Sequence, residues 1–101
     1  MVSDRGQIER RRRRLREELR ALSAQPLMRG SVVERVRRCG RANCACARDP
    51  RARHRGTFLT VYLQGATQAV HVRPEDEAAV RAAVAANRRR WRLIDALTAC
   101  A

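Results

Sequence analysis

The sequence predicts an α+β protein in which two helices flank a short strand, a cysteine-rich loop and a β-hairpin. Three observations support this fold class. Leucines and one isoleucine recur at helical spacing near the amino terminus, and a second helical stripe occupies the last third of the chain. The segment between them combines runs of β-branched residues with three closely spaced cysteines.

The first helix is predicted to begin at a cap provided by Ser3 or Asp4 and to end near Ala24, before Pro26. Its apolar stripe is one residue wide: Ile8, Leu15, Leu19 and Leu22. Arg12 occupies the position where a heptad repeat would place an apolar residue. Because so narrow a stripe suits a two-helix seam, we expect the helices to pack as an antiparallel or dimeric coiled coil.

The middle of the chain is predicted to contain a strand over residues 31–38, a loop over 39–56, and a hairpin with strands at 57–64 and 67–72. Its turn is expected at Gly65-Ala66. The last helix should begin at Pro74 and run to about Thr98, with an apolar stripe of Val80, Val84, Trp91 and Ile94. We therefore expect an arginine-rich helix over residues 1–29 and one compact unit over 30–101.

Charge is the strongest compositional feature. The chain carries 23 basic and 10 acidic residues, a net charge of +13, and every basic residue is arginine. A genome rich in G and C accounts for arginine in place of lysine, but it does not account for the surplus. A surplus of this size in a small domain indicates a polyanionic partner, with nucleic acid ahead of an anionic membrane. The surplus is densest over residues 31–56.

Three cysteines in that segment have metal-ligand spacing. Cys39, Cys44 and Cys46 form Cys-x4-Cys-x-Cys, and His54 follows. Three thiolates and one imidazole satisfy tetrahedral Zn²⁺, and a reducing cytosol favours metal binding over a disulfide or redox role. His54, which follows Cys46 after seven residues, is the expected fourth ligand, with His71 and Cys100 as the alternatives. A structural zinc is expected, because no carboxylate near a histidine offers a general base; the chain is therefore predicted not to be an enzyme.

The chain shows neither a membrane-spanning apolar run nor a secretory signal. Its first helix has no Trp or Phe to insert into a membrane surface. We therefore expect a bacterial cytoplasmic protein, with the nucleoid as a location if it binds DNA, and no membrane partner.

The segment Gly-Ser-Val-Val-Glu-Arg-Val-Arg-Arg-Cys-Gly-Arg-Ala-Asn-Cys-Ala-Cys, residues 30–46, resembles the core of a family of small uncharacterised prokaryotic proteins. Their pattern reads approximately G-S-L-V-E-x-x-R-x-C-G-K-x-x-C-x-C and continues to H-G-P-Y, two strands and a helix. This chain has His-Arg-Gly-Thr-Phe at residues 54–58 instead, with one extra residue and no proline. The resemblance spans about residues 30–97 and implies a compact zinc-knuckle-like fold in which the three cysteines and His54 are shared positions.

These features together predict a zinc-stabilised nucleic-acid-binding protein that contacts mainly phosphates, with DNA favoured over RNA. Stacking on single strands is not expected, because the chain has three aromatic residues and at least two should be buried. The arginine run on the first helix is equally consistent with a solvated helix face. The alternative function is a protein-interaction or homodimerisation module with a structural zinc. The arginines expected to contact nucleic acid are Arg35, Arg37, Arg38, Arg41, Arg48, Arg51, Arg53 and Arg55 around the cysteines, and Arg10, Arg11, Arg13 and Arg14 on the first helix.

Overall fold

The computed structural model describes residues 4–100 and shows the predicted α+β class, with the elements in the predicted order. Two long helices and three strands form the framework, and short 3-10 helices lie at Ala45–Ala47, Pro50–Ala52 and Pro74–Asp76. The elements are helix α1 (Arg5–Ser23), strands β1 (Ser31–Arg37), β2 (His54–Leu63) and β3 (Ala66–Val72), and helix α2 (Glu77–Ala99). The alternative cap residue Ser3 lies outside the described residues.

Helix α1 begins at the predicted cap Asp4, whose Oδ1 accepts a hydrogen bond from the Gly6 amide at 3.1 Å. This bond satisfies one of the amides that a helix leaves unpaired at its first turn. The helix ends at Ser23, where the Ala24 amide donates to the Ala21 carbonyl at 3.3 Å. The predicted bounds are therefore correct to within one residue.

The sheet has the order β1-β2-β3, and both pairs of neighbouring strands are antiparallel. Strand β2 is longer than predicted, because its residues from His54 onward pair with β1 as far as Arg37. The turn lies at Gln64-Gly65, one residue earlier than expected, since Leu63 pairs with Ala66. Both turn residues have positive φ, which suits the twist of a two-residue hairpin.

Each face of the sheet carries buried residues. Phe58 is 3% exposed on one face, whereas Val61 and Val72 are buried on the other. The pairing of Phe58 with His71 places both on the Phe58 face, together with the exposed Tyr62. Of the three aromatic residues only Phe58 is buried, so the expectation that at least two are buried is wrong. Tyr62 and Trp91 are 59% and 53% exposed.

Contacts group residues 4–29 with 82–100 in one unit, and residues 30–81 in a second unit. The helical unit is built around Leu22, Ala86 and Leu93, with Leu15, Leu19 and Leu27 packed against them. The predicted division into residues 1–29 and 30–101 stays a prediction. The coiled-coil and dimer packing of the helices also stay predictions.

The buried side of α2 agrees with the predicted stripe only in part. Val84 is buried as predicted, and Ala83, Ala86 and Leu93 are buried as well, whereas Trp91 stays exposed. Small alanine side chains allow close approach of the backbone, and the Met28 amide donates to the Ala83 carbonyl at 3.1 Å. A pattern search that counts only large apolar residues overlooks a helix face made of alanine.

Arg12 has a specific role in the helical unit. Its Nη2 donates to the Cys100 carbonyl at 2.7 Å, and its Nη1 donates to Glu9 Oε1 at 2.9 Å. The carbonyls at a helix carboxyl end lack partners within the helix and attract cations. The arginine that interrupts the apolar stripe therefore caps the end of α2.

Among residues 4–100, no helix combines the length and the apolar character needed to cross a bilayer.

Gly30 is expected to tolerate no side chain. Its φ is +110°, and a Cβ there would lie 2.5 Å from the Thr60 carbonyl oxygen. Gly65 also has positive φ, but a Cβ there would meet nothing within 4 Å. Gly65→Ala should lower the free energy of unfolding by about 1–2 kcal/mol, and Gly30→Ala should lower it by more than ~3 kcal/mol. Urea denaturation checks this, and equal losses in the two variants would contradict it.

Candidate metal centre

Four potential metal ligands converge at one end of the sheet. The Sγ atoms of Cys39, Cys44 and Cys46 and a ring nitrogen of His54 all lie within 4.8 Å of one another. Cys44 Sγ is 3.4 Å from His54 Nε2, and Cys46 Sγ is 3.5 Å from Cys39 Sγ. These four residues can hold one metal ion. His71 and Cys100, the other candidates for the fourth ligand, are not part of this cluster.

The strand register brings the two ends of the cluster together. Because Arg37 pairs with His54, the chain that leaves β1 at Cys39 must return to a point beside it. Gly40, with φ at +87°, allows the sharp turn after Cys39. The backbone between Cys44 and Cys46 bends into a 3-10 helix for which Cys44 is the N-cap, so their thiols lie close together.

The donor set and its spacing fit a tetrahedral metal. A tetrahedron with metal–ligand distances of about 2.0–2.3 Å has edges of roughly 3.3–3.8 Å. Two of the ligand–ligand distances, 3.4 and 3.5 Å, lie in this range, and every other pair of ligand atoms lies within 4.8 Å. Cys46 is 1% exposed, and Cys39 and His54 are exposed, so the cluster lies at the surface with one buried ligand.

The local hydrogen bonds already favour a thiolate at Cys44. The Cys46 amide donates to the Cys44 sulfur and His54 interacts with it, and these contacts lower the pKa of Cys44 from 9.0 to about 6. The thiolate is the form that binds metal, so the fold prepares this ligand before a metal is bound.

The pKa of Cys46 shifts in the opposite direction to that of Cys44. The Cys39 amide donates to its sulfur at 3.3 Å and favours the thiolate. Burial and the neighbouring Cys44 and Cys39 thiols outweigh this bond and raise the pKa of Cys46. The negative charge that three thiolates would accumulate is thus unfavourable without a cation.

Eight arginines lie in the segment 35–55 that contains the cluster. Arg41 and Asn43 line a cleft of about 490 Å³ against Cys39, Cys44 and His54. The arginines at 35, 37, 38, 41, 48, 51 and 55 are exposed, and Arg53 is half-buried. Within residues 4–100, Arg51 is the only one of these eight in an ion pair, with Asp49 at 3.5 Å. The segment that holds the metal cluster therefore carries seven arginines without an acidic partner in the described part of the chain.

The arginines predicted on the first helix belong to the helical unit. Arg10, Arg11, Arg13 and Arg14 line a groove on α1 together with Gln7 and Ile8. All four are exposed. They form a second basic surface.

Sequence reasoning gave Phe58 no role beside the cluster and considered His71 only as an alternative metal ligand. The Arg37 guanidinium lies over the Phe58 ring, with its Cζ atom 4.6 Å from the ring centroid. The His71 ring meets the Phe58 ring edge-on, and the two ring centroids are 5.3 Å apart. The alternation of side chains along β2 and β3 shows that Phe58 and His71 share a face only when the register that pairs these two residues is known.

Cys100 is the matched control for the metal ligands, because it is a half-buried cysteine outside the cluster. The purified protein and Cys100→Ser should each carry about one bound metal ion per chain. Cys44→Ser and Cys46→Ser should carry almost none and lose amide protection over residues 31–72. Elemental analysis and hydrogen exchange measure these results. A native protein without metal would contradict the assignment.

The lowered pKa of Cys44 gives the metal-free protein a defined pH response. Folding favours the thiolate, so its contribution to stability is complete above pH 9, shrinks as the pH falls, and is lost below about pH 6. At pH 7, iodoacetamide should modify Cys44 before Cys100 in metal-free protein, and His54→Ala should slow the reaction at Cys44. Equal rates at the two cysteines, measured by peptide mass spectrometry, would exclude a preformed thiolate.

Comparison with known proteins identifies a family but no characterised relative. No curated protein and no solved structure matches the chain. The family model of the domain of unknown function DUF6788 matches residues 5–82, a range that includes α1, the sheet and all four clustered ligands. The match covers most of the sequence, and the chain therefore belongs to the DUF6788 family.

Proposed function

We propose that the protein is a zinc-stabilised nucleic-acid-binding protein that contacts mainly the phosphates of DNA. The metal assigned to the cluster is Zn²⁺ in a structural role. Three cysteines and one histidine fill the coordination of tetrahedral zinc with protein ligands, and such closed sites stabilise a fold without offering a position for substrate. In a chain this short, the metal replaces part of the core that the sheet lacks.

The observation that carries the proposal is the arginine group around the metal cluster. Seven of its eight members are exposed, and only Arg51 has an acidic partner within the described residues. Exposed guanidinium groups without acidic partners are available for bidentate bonds to phosphate. The helix arginines are partly committed elsewhere: Arg12 caps α2, Arg81 pairs with Glu77, and Arg89 with Glu18.

Arg10, Arg11, Arg13 and Arg14 supply the second contact surface in this proposal. They lie on consecutive turns of α1 and have no ion pair within residues 4–100. A helix with arginines on its exposed side can follow a phosphate backbone without reading bases. Contacts from both surfaces would add to the salt dependence of binding.

The exposure of Tyr62 bears on the type of nucleic acid. Because Tyr62 is 59% exposed, it offers one position on which a base can stack. Single-strand binding proteins stack successive bases on several aromatic side chains, and the sheet has only this one exposed aromatic residue. Duplex DNA, bound through phosphates, therefore remains the proposed partner.

Trp91 supports a second candidate function, self-association through α2. A tryptophan that is 53% exposed on a helix surface is typical of an interface, and Ile94 lies one turn away on the same helix. In this second candidate function the partner is a second copy of the chain, which would bury the surface of α2 around Trp91.

The proposal of DNA binding is tested by two matched triple variants. Replacing Arg38, Arg41 and Arg48 by Gln should weaken binding to a duplex oligonucleotide by at least ~100-fold and reduce the slope of log K against log salt by about 2.7. Replacing Arg16, Arg20 and Arg92 removes the same charge from exposed helix positions outside the proposed surfaces. Fluorescence anisotropy at several salt concentrations measures both.

Equal effects of the two triples would show that only net charge matters. No binding of the wild-type protein to duplex would refute the proposal. Self-association that is insensitive to salt and is abolished by Trp91→Ala, measured by sedimentation equilibrium, would instead support the second candidate.

A further inference from the structure

A second cleft adjoins the metal cluster on the Phe58 face of the sheet. It has a volume of about 240 Å³ and is lined by Arg37, Arg38, His54, Arg55, Phe58 and His71 among others. It lies where β3 has ended at Val72 while β2 continues back to His54 beside β1. The cleft is therefore a product of unequal strand lengths, and the metal ligand His54 forms one of its walls.

The lining of this cleft is positively charged and includes no carboxylate. Arg37, Arg38 and Arg55 are exposed, and none of them is in an ion pair within the described residues. Glu34 and Glu77 line an adjoining cleft with Arg55 and His71, but neither forms an ion pair with Arg55. The Arg37 guanidinium lies over the Phe58 ring in this cleft, and Arg38 and Arg55 are also among its lining residues, an arrangement that suits an anion.

Phe58 holds two of the polar side chains in place. The Arg37 guanidinium lies over its ring and the His71 ring meets it edge-on. Gly56 leaves the necessary room, because a Cβ there would lie 3.0 Å from Phe58 Cε2 and 3.7 Å from His71 Cδ2. Side chains ordered before binding lose less conformational entropy when a ligand arrives.

His71 adds a donor that nothing else uses. It is exposed, lies outside the metal cluster, and its ring nitrogens make no hydrogen bond within residues 4–100. A planar guanidinium and an imidazole side by side provide directional donors for the oxygens of a phosphate.

We propose that this cleft binds one phosphate group of the nucleic-acid backbone, with Arg37 and Arg38 as the main ligands and His71 as an additional donor. This inference rests on the proposed function and specifies the point at which the backbone is held, directly beside the zinc site. His54 belongs both to the metal cluster and to the wall of the cleft, and it therefore connects the zinc site with the phosphate site.

The test uses four single variants of the metal-loaded protein and a fluorescent duplex oligonucleotide. Arg37→Gln and Arg38→Gln should each weaken binding by roughly 5- to 20-fold and reduce the salt slope by about 0.9. His71→Phe keeps a ring against Phe58 but removes the donor, and should weaken binding by roughly 3- to 10-fold. Arg16→Gln removes the same charge from α1 and should change affinity by less than about 2-fold. Zinc content and circular dichroism verify that each variant is folded.

A second arm identifies the source of the phosphate. In NMR spectra, the Arg37 and Arg38 side-chain resonances and the His71 ring resonances should shift on addition of duplex, with smaller shifts at the same concentration of inorganic phosphate. If duplex binds but the cleft variants behave like Arg16→Gln, this inference fails while the proposed function stands. If the wild type binds inorganic phosphate but no duplex, the cleft takes a free anion, and both the backbone assignment and the proposed function fail.

Discussion

The antiparallel pairing of β1 with β2 is the interaction on which the functional part of the molecule depends. By setting Arg37 opposite His54, it closes the cysteine-rich loop and fixes the distance between the first and last metal ligands. The same register lines up Arg37, Phe58 and His71 on one face. A shift of one residue would move every side chain of β2 to the other face and separate His54 from the cysteines. The clustering of the candidate metal ligands and the basic surface beside them therefore have a common origin in one strand pair.

Local patterns predicted the parts of this protein that depend on neighbours in sequence. The cysteine spacing, the caps and the hairpin required only short-range information, and the structure brings Cys39, Cys44, Cys46 and His54 together. The sequence favoured His54, which follows the cysteines in the same segment, over His71, which was expected in the middle of a strand. The strand register supplies the physical reason, because it sets Arg37 opposite His54. The buried face of α2 was predicted only in part: Val84 is buried as expected, but Ala83 and Ala86 also lie inside and Trp91 does not, because burial of alanine is decided by how closely the helices approach.

The arginines that produce the net charge of +13 have different roles in the structure. Some arginines serve the fold: Arg12 caps a helix, Arg81 pairs with Glu77, and Arg89 pairs with Glu18. Others around the metal cluster have no acidic partner within residues 4–100 and are exposed. The amino-acid composition alone does not distinguish among the 23 arginines. The distinction between fold-supporting and uncommitted arginines separates the residues whose loss would destabilise the protein from those whose loss would change only what it binds.

The hydrogen bond from Arg12 to the Cys100 carbonyl joins residues that are 88 positions apart in the chain. This bond links the first helix to the end of the last helix, so each of these two segments helps to hold the other in place. In a ribosome-bound nascent chain, Arg12 emerges long before its acceptor is synthesised. The helical unit therefore reaches its final form only after synthesis of the segment 30–81 is complete, and the sheet with its metal ligands has the opportunity to assemble first.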